Sequence, residues 1–306
     1  MRLLSVVLLL LFAAPTIAEV RVRDDYGHDV RLARPAVRVV SLSPHLTELL
    51  FAIGAGAQLV GALEHSDYPA AARALPRVGS EAGIDLEAVI ALRPDLIVAW
   101  PQSGSRGALE RLATLGVPMY RSEPRELEDI ARTLERLGVL TGQGAGARTA
   151  ATAFRARTLA LRKRFADRPA VRVFYQIWDR PLMTVTGAHV ISKVLALCGG
   201  ENVFAALPGI APEIDREAVL AANPEVIVAS GIDAVRPAWL DDWRAFASMT
   251  AVARENLQFL PAALIQRHTP RLLEGAERLC ELLEGARARR PQNGSSRAPA
   301  RDTSKR

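Results

Sequence analysis

The side chains with the most chemistry to offer are three histidines, His45, His65 and His268, four tryptophans, and scattered acids. Three imidazoles near a cleft could coordinate a metal, and with Asp67, Asp179 and Glu81 they could serve a zinc-dependent hydrolase. The spacing argues against both. No His-x-x-x-His pair links the histidines; His45 falls at the start of a helix and His65 in a loop. The chain also lacks a Gly-x-Ser-x-Gly elbow, a phosphate-binding loop, and paired carboxylates in a recognisable setting. These residues point to a protein that binds, with no metal, no cofactor and no catalytic centre, rather than to an enzyme.

The elements that must position any site are announced by a repeat. Asp85-Leu-Glu-Ala-Val-Ile-Ala-Leu-Arg-Pro-Asp-Leu-Ile-Val-Ala-Trp100 returns as Asp215-Arg-Glu-Ala-Val-Leu-Ala-Ala-Asn-Pro-Glu-Val-Ile-Val-Ala-Ser230, nine of sixteen positions identical at an offset of 130. A helix-then-strand unit used twice, about one domain apart, predicts two similar lobes, and a cleft between two lobes is a common ligand site. At 306 residues the chain is long enough for two cores.

Around the repeat, strands and helices alternate. Val20–Val22 and Val30–Leu32 flank Asp24-Asp-Tyr-Gly27, a hairpin signal. Val37–Leu42 reads as a buried strand, and Ser43-Pro44 as the cap and first residue of a helix to about Ile53. Further strands at 60–62, 95–99 and after Pro118 separate helices at 86–92 and 109–115, the rhythm of a parallel α/β sheet. Helical patterns follow at 126–140 and 145–165. In the second, Ala147, Ala150, Ala151, Phe154, Thr158, Leu161 and Phe165 form one apolar face. The expected organisation is an N-terminal hairpin at 19–36, an α/β lobe at 37–142, a linking helix at 143–168 and a second α/β lobe at 169–285. A link made of one helix predicts small opening motions rather than a wide hinge.

Both ends read differently. Arg2, the apolar run Leu3–Ala14 and Thr16-Ile-Ala18 resemble a secretory signal, 1–18, cleaved near Ala18, which places the mature chain in the periplasm. The formal charge of +6 is carried by seven basic residues from Arg287 onward against Asp302, so the body calls for no nucleic-acid partner. The segment 286–306 reads as a disordered basic tail. Cys198 and Cys280 are an even pair in an exported chain, where a bridge is expected and two buried thiols are the alternative. A bridge would stabilise by about 4 kcal/mol in the chain-entropy model.

Val39-Val-Ser-Leu-Ser-Pro-His-Leu-Thr-Glu48, Ser66-Asp-Tyr-Pro69, Leu86–Leu96, Cys198-Gly-Gly-Glu-Asn-Val-Phe204 and Thr269-Pro-Arg271 together resemble the helical-backbone substrate-binding proteins of ABC importers, which carry vitamin B12, ferric siderophores and haem. The resemblance spans Val37 to Leu283. It implies two Rossmann-like α/β lobes joined by a single long helix, with the ligand in the cleft between them. It also implies a monomer that takes up cobalamin or a related corrinoid and delivers it to an inner-membrane permease dimer and its ATPase. A Cys198–Cys280 disulfide belongs to the same pattern. So do Glu87 and Glu217, which match the family's glutamates that dock onto permease arginines. Two equivalent acids suit a two-fold partner, although each also sits in a first helical turn, where an acid is favoured by the dipole.

In the pocket this chain departs from the family. Trp100 matches a family tryptophan. His65 stands where a tyrosine is found, Glu81 and Ala211 stand where tryptophans are found, and Leu264-Ile-Gln-Arg-His268 replaces an aromatic segment. Trp178 is the expected source of the missing ring surface. His65 or His268 could serve as axial ligand to a bound tetrapyrrole. A ferric siderophore or haem is the second reading, and Arg106, Arg180 and Arg267 are the basic residues that an anionic chelate would need.

Overall fold

The computed structural model describes residues 19–80, 82–101, 106–231 and 235–291, so the expected signal peptide, Glu81 and the tail beyond Pro291 lie outside it. The chain divides into two compact units, Met1–Pro124 with Ala131–Thr152, and Arg125–Ile130 with Ala153–Arg306.

The first unit begins with an antiparallel hairpin of β1 (Val20–Arg23) and β2 (Asp29–Leu32), as Asp24–Gly27 predicted. There follow β3 (Val39–Leu42), α1 (Pro44–Ala52), β4 (Leu59–Ala62), the short pair β5 (Gly79–Ser80) and β6 (Gly83–Ile84), α2 (Leu86–Ala91), β7 (Leu96–Ala99), α3 (Arg106–Thr114) and β8 (Met119–Arg121). The sheet order β4-β3-β7-β8 is parallel throughout. Every residue of β3 and β7 is buried, as expected where helices cover both faces of a parallel sheet.

Two helices are shared by the units. Of α4 (Leu127–Thr141), the first turn groups with the second unit and the remainder with the first; α5 (Gly144–Phe165) changes unit after Thr152. In α5 the buried residues are Ala147, Ala151, Phe154, Leu161 and Phe165, which is the apolar face read from the sequence. Gly146 is required where it stands. A Cβ there would lie 2.2 Å from the Ile53 carbonyl oxygen.

The second unit contains β9 (Val171–Trp178), β10 (Met183–Thr184), α6 (Val190–Leu197), β11 (Gly200–Asn202), α7 (Arg216–Ala222), β12 (Val226–Gly231), a 3-10 turn at Ala238–Ala245, α8 (Thr250–Ala253), β13 (Leu257–Pro261), α9 (Ala262–Ile265) and α10 (Leu272–Ala288). β12 lies between β9 and β13, parallel to both, just as β7 lies between β3 and β8. The Cys198–Cys280 disulfide ties the end of α6 to α10, closing a separation of 82 residues.

The repeat folds the same way twice, down to individual bonds. Asp85 and Asp215 cap α2 and α7 by accepting from the amides of Ala88 at 2.9 Å and Ala218 at 2.6 Å. Arg93 and Asn223 both take positive φ, 44° and 41°, immediately before proline, and each helix ends there. Arg38 and Arg172 donate to the last carbonyls of these helices, at Leu92 and Ala222. Asp95 accepts from the amides of Val37 and Arg38, and Glu225 from that of Arg172. The acid after each proline therefore pins the start of the neighbouring strand.

Two expectations need correction. Ser43 occupies the cap position of α1 but its hydroxyl accepts no helix amide; its Oγ lies 2.6 Å from His45 Nδ1 instead. The tail does not begin at 286. α10 runs to Ala288, Arg287 donates to the carbonyls of Pro169 and Cys198, and Arg290 pairs with Glu225 at 2.8 Å. Composition reads these arginines as solvated charge, whereas here they satisfy loop carbonyls and a carboxylate.

Candidate ligand-binding surfaces

In open parallel sheets, ligands bind beyond the carboxyl ends of the strands. In the first unit those ends carry a compact polar network. Thr47 Oγ1 donates to Ser41 Oγ at 2.9 Å and also lies 3.2 Å from Ser66 Oγ, tying β3, α1 and the loop after β4 together. Trp100, one residue past β7, packs edge-on to His45, with ring centroids 5.3 Å apart and planes at 89°. His45 is thus a buried packing partner, and Trp100 is partly exposed. His65 is exposed at φ 62°, one residue before buried Ser66, and Tyr68 in the same loop is also exposed. Arg77 holds the loop through the carbonyls of Leu63 and Ser66.

In the second unit Trp178 closes β9 with 42% of its surface exposed, its indole nitrogen donating to the Arg180 carbonyl at 3.0 Å. With Asp179, Arg180, Gly231, Arg236 and Trp239 it lines a depression of 480 Å³. Trp239 and Arg236 escaped the sequence reading. Arg236 lies just before, and Trp239 within, a 3-10 turn with no helical or strand period; the only available signal is an aromatic two residues after Pro237, shortly after an apolar strand.

The segment from Leu264 to His268 does not present itself as a row of contacts. Leu264 and Ile265 are core residues, the latter wholly inaccessible, because α10 presses on α9: a Cβ on Gly275 would lie 2.3 Å from the Leu264 carbonyl oxygen. Gln266 donates to Ser230 Oγ at 2.5 Å. That serine is the counterpart of Trp100 in the repeat, so one copy ends in a ring and the other in a buried polar bond. Tyr175 lies in the same cluster. Burial pushes its hydroxyl above the ordinary value, with Ser230 and Gln266 pulling the other way. Arg267 is partly exposed.

His268 is buried, its ring 6.3 Å from that of His189, and burial together with His189 holds its pKa down at about 3. Such a ring is a buried, neutral group of its unit. Among the described residues no group of three or more His, Cys, Asp or Glu is gathered in a metal-holding arrangement.

Glu87 and Glu217 are exposed, each in the first turn of its repeat helix, two residues after the capping aspartate. Glu81 lies outside the described residues.

A family model described as periplasmic binding protein matches residues 39–264. A vitamin B12-binding protein from Vibrio parahaemolyticus is 38% identical over 259 residues, spanning 84% of this chain and 92% of that one. The crystal structure of the periplasmic vitamin B12 binding protein BtuF of Vibrio cholerae superposes with a TM-score of 0.76 at 36% identity, covering 83% of this chain and 98% of the other. A periplasmic heme binding protein from Pseudomonas aeruginosa superposes with a TM-score of 0.69 at 29% identity, covering 80% and 91%.

Proposed function

The chain belongs to the periplasmic binding protein family, and from that premise we propose that it is the substrate-binding component of an ABC importer, taking up cobalamin or a related corrinoid and handing it to an inner-membrane permease and its ATPase. The observation that carries this reading is the likeness to vitamin B12-binding proteins over nearly their full length, 38% identity across 92% of the Vibrio parahaemolyticus protein. The strand ends supply suitable chemistry. A corrinoid offers a broad, partly apolar ring system with amide arms, which calls for aromatic walls and a few fixed polar groups. Trp100 with the His65 loop, and Trp178 with Arg267, are the side chains assigned to it. Glu87 and Glu217, presented identically by the two copies of the repeat, are assigned to the permease. Export rests on the apolar leader, 1–18, removed near Ala18. No helix among the described residues is long and apolar enough to cross a membrane.

Haem is the second reading, favoured by one observation, the 29% identity to a heme binding protein. Titration with cyanocobalamin, haem and a ferric siderophore, followed by quenching of the tryptophans, separates the two. Saturable nanomolar to micromolar binding of cyanocobalamin alone is the expected result. Binding of haem or siderophore with no response to cyanocobalamin would overturn the assignment.

A further inference from the structure

The depression at the strand ends of the second unit has a composition that a corrin ring alone does not explain. Trp178 and Trp239 provide two indole surfaces, and Arg180, Arg236, Asp179 and the end of β12 at Gly231 share the lining. The site is braced. Trp178 is held through its indole nitrogen on the Arg180 carbonyl. Arg236 is held by Asp241, its two terminal nitrogens donating at 2.7 and 2.8 Å to the two carboxylate oxygens. Arg244 donates to the same carboxylate, and the two guanidiniums keep Asp241 ionised well below the usual carboxylate range.

Arg180 uses only Nε, on Asp179 at 3.0 Å. Among the described residues its two terminal nitrogens make no hydrogen bond that competes with a ligand, and its side chain is 82% exposed. Among the described residues that line the depression, two guanidiniums, Arg180 and Arg236, stand with one carboxylate, Asp179. The volume of 480 Å³ falls at the smaller end of the range of about 300 to 1,000 Å³ usual for ligand pockets. It is large enough for one heteroaromatic base with an attached phosphodiester. Indole faces stack on such a base, and a guanidinium fork matches a phosphate.

We infer that this depression is a subsite for the nucleotide loop of a complete corrinoid, the base stacking on Trp178 and Trp239 and the phosphodiester lying against Arg180 and Arg236. The inference rests on the corrinoid reading above. It goes further, because it makes the protein select for corrinoids that carry a nucleotide over those that do not.

The test compares cyanocobalamin with dicyanocobinamide, which has the same corrin ring and no nucleotide loop, in the wild-type protein, in R180Q/R236Q and in W239A. Circular dichroism confirms that each variant is folded. The wild-type protein should prefer cyanocobalamin by at least about tenfold, or about 1.4 kcal/mol, and the ratio should collapse toward one in both variants. A purely structural role for these side chains would weaken both ligands alike and leave the ratio unchanged, which would overturn the inference. Equal affinity for the two corrinoids in the wild-type protein would overturn it as well, while leaving the corrinoid function standing. If neither corrinoid binds, the function itself fails and the subsite falls with it.

Discussion

Acidification should cost this protein stability through two imidazoles in its second unit. His189 caps α6, with Nδ1 accepting the Ile191 amide at 3.1 Å, so that nitrogen must be unprotonated. Burial holds its pKa down at about 4, and that of the neighbouring His268 at about 3. In the unfolded chain both titrate near the ordinary 6.5. Between those values the unfolded state binds protons that the folded state refuses, so stability is complete above about pH 6.5 and declines as pH falls toward the folded values. With about 1.4 kcal/mol for each unit of unmatched protonation, each imidazole removes about 2 kcal/mol by about pH 5, and the pair about 4 kcal/mol. Urea unfolding followed by tryptophan fluorescence at pH 7 and near pH 5 measures the drop directly. His189→Asn keeps a neutral acceptor at the cap and should fall by about 2 kcal/mol less than the wild-type protein. If the variant and the wild-type protein lose the same amount, His189 is not buried in neutral form and the reasoning is wrong.

Four further outcomes follow from the fold. Asp95→Ala and Glu225→Ala should each lower the unfolding free energy by about 2 kcal/mol, measured as a shift in urea midpoint, because each strips an ionised acceptor from backbone amides at a strand start. Replacing both Cys198 and Cys280 by alanine should cost about 4 kcal/mol by the same measurement, from the loop of 82 residues that the bridge closes. Gly275→Ala should lower the thermal midpoint sharply, since its Cβ would meet the Leu264 carbonyl. Gly107→Ala, in a helix with nothing within 4 Å, should raise stability by about 0.5 to 1 kcal/mol.

Much of this architecture was legible because local rules and the global fold agree. The apolar runs of β3 and β7 and the face of α5 each follow from periodicity. What escaped depends on partners distant in sequence. Nothing local distinguishes Glu225, which receives Arg254 and Arg290, from a solvated acid, or Arg287 and Arg290 from a basic tail. Ser43 precedes a proline and looks like a cap, but the imidazole two residues on offers it a closer bond. Leu264 and Ile265 are tied to a ligand by resemblance alone; apolar residues lining a pocket and apolar residues in a core read alike, and the small Gly275 opposite favours close packing. Trp239, by contrast, lies in an aperiodic turn, where no pattern calls attention to it.

The proposal that the protein captures a corrinoid and delivers it is tested most directly in vesicles containing the permease and its ATPase, supplied with ATP and labelled cyanocobalamin. Uptake should depend on this protein and should be abolished by the double charge reversal Glu87→Arg with Glu217→Arg, while the affinity for cyanocobalamin measured by fluorescence stays the same. Uptake by the double variant at the wild-type rate, or uptake that does not need the protein at all, would contradict it.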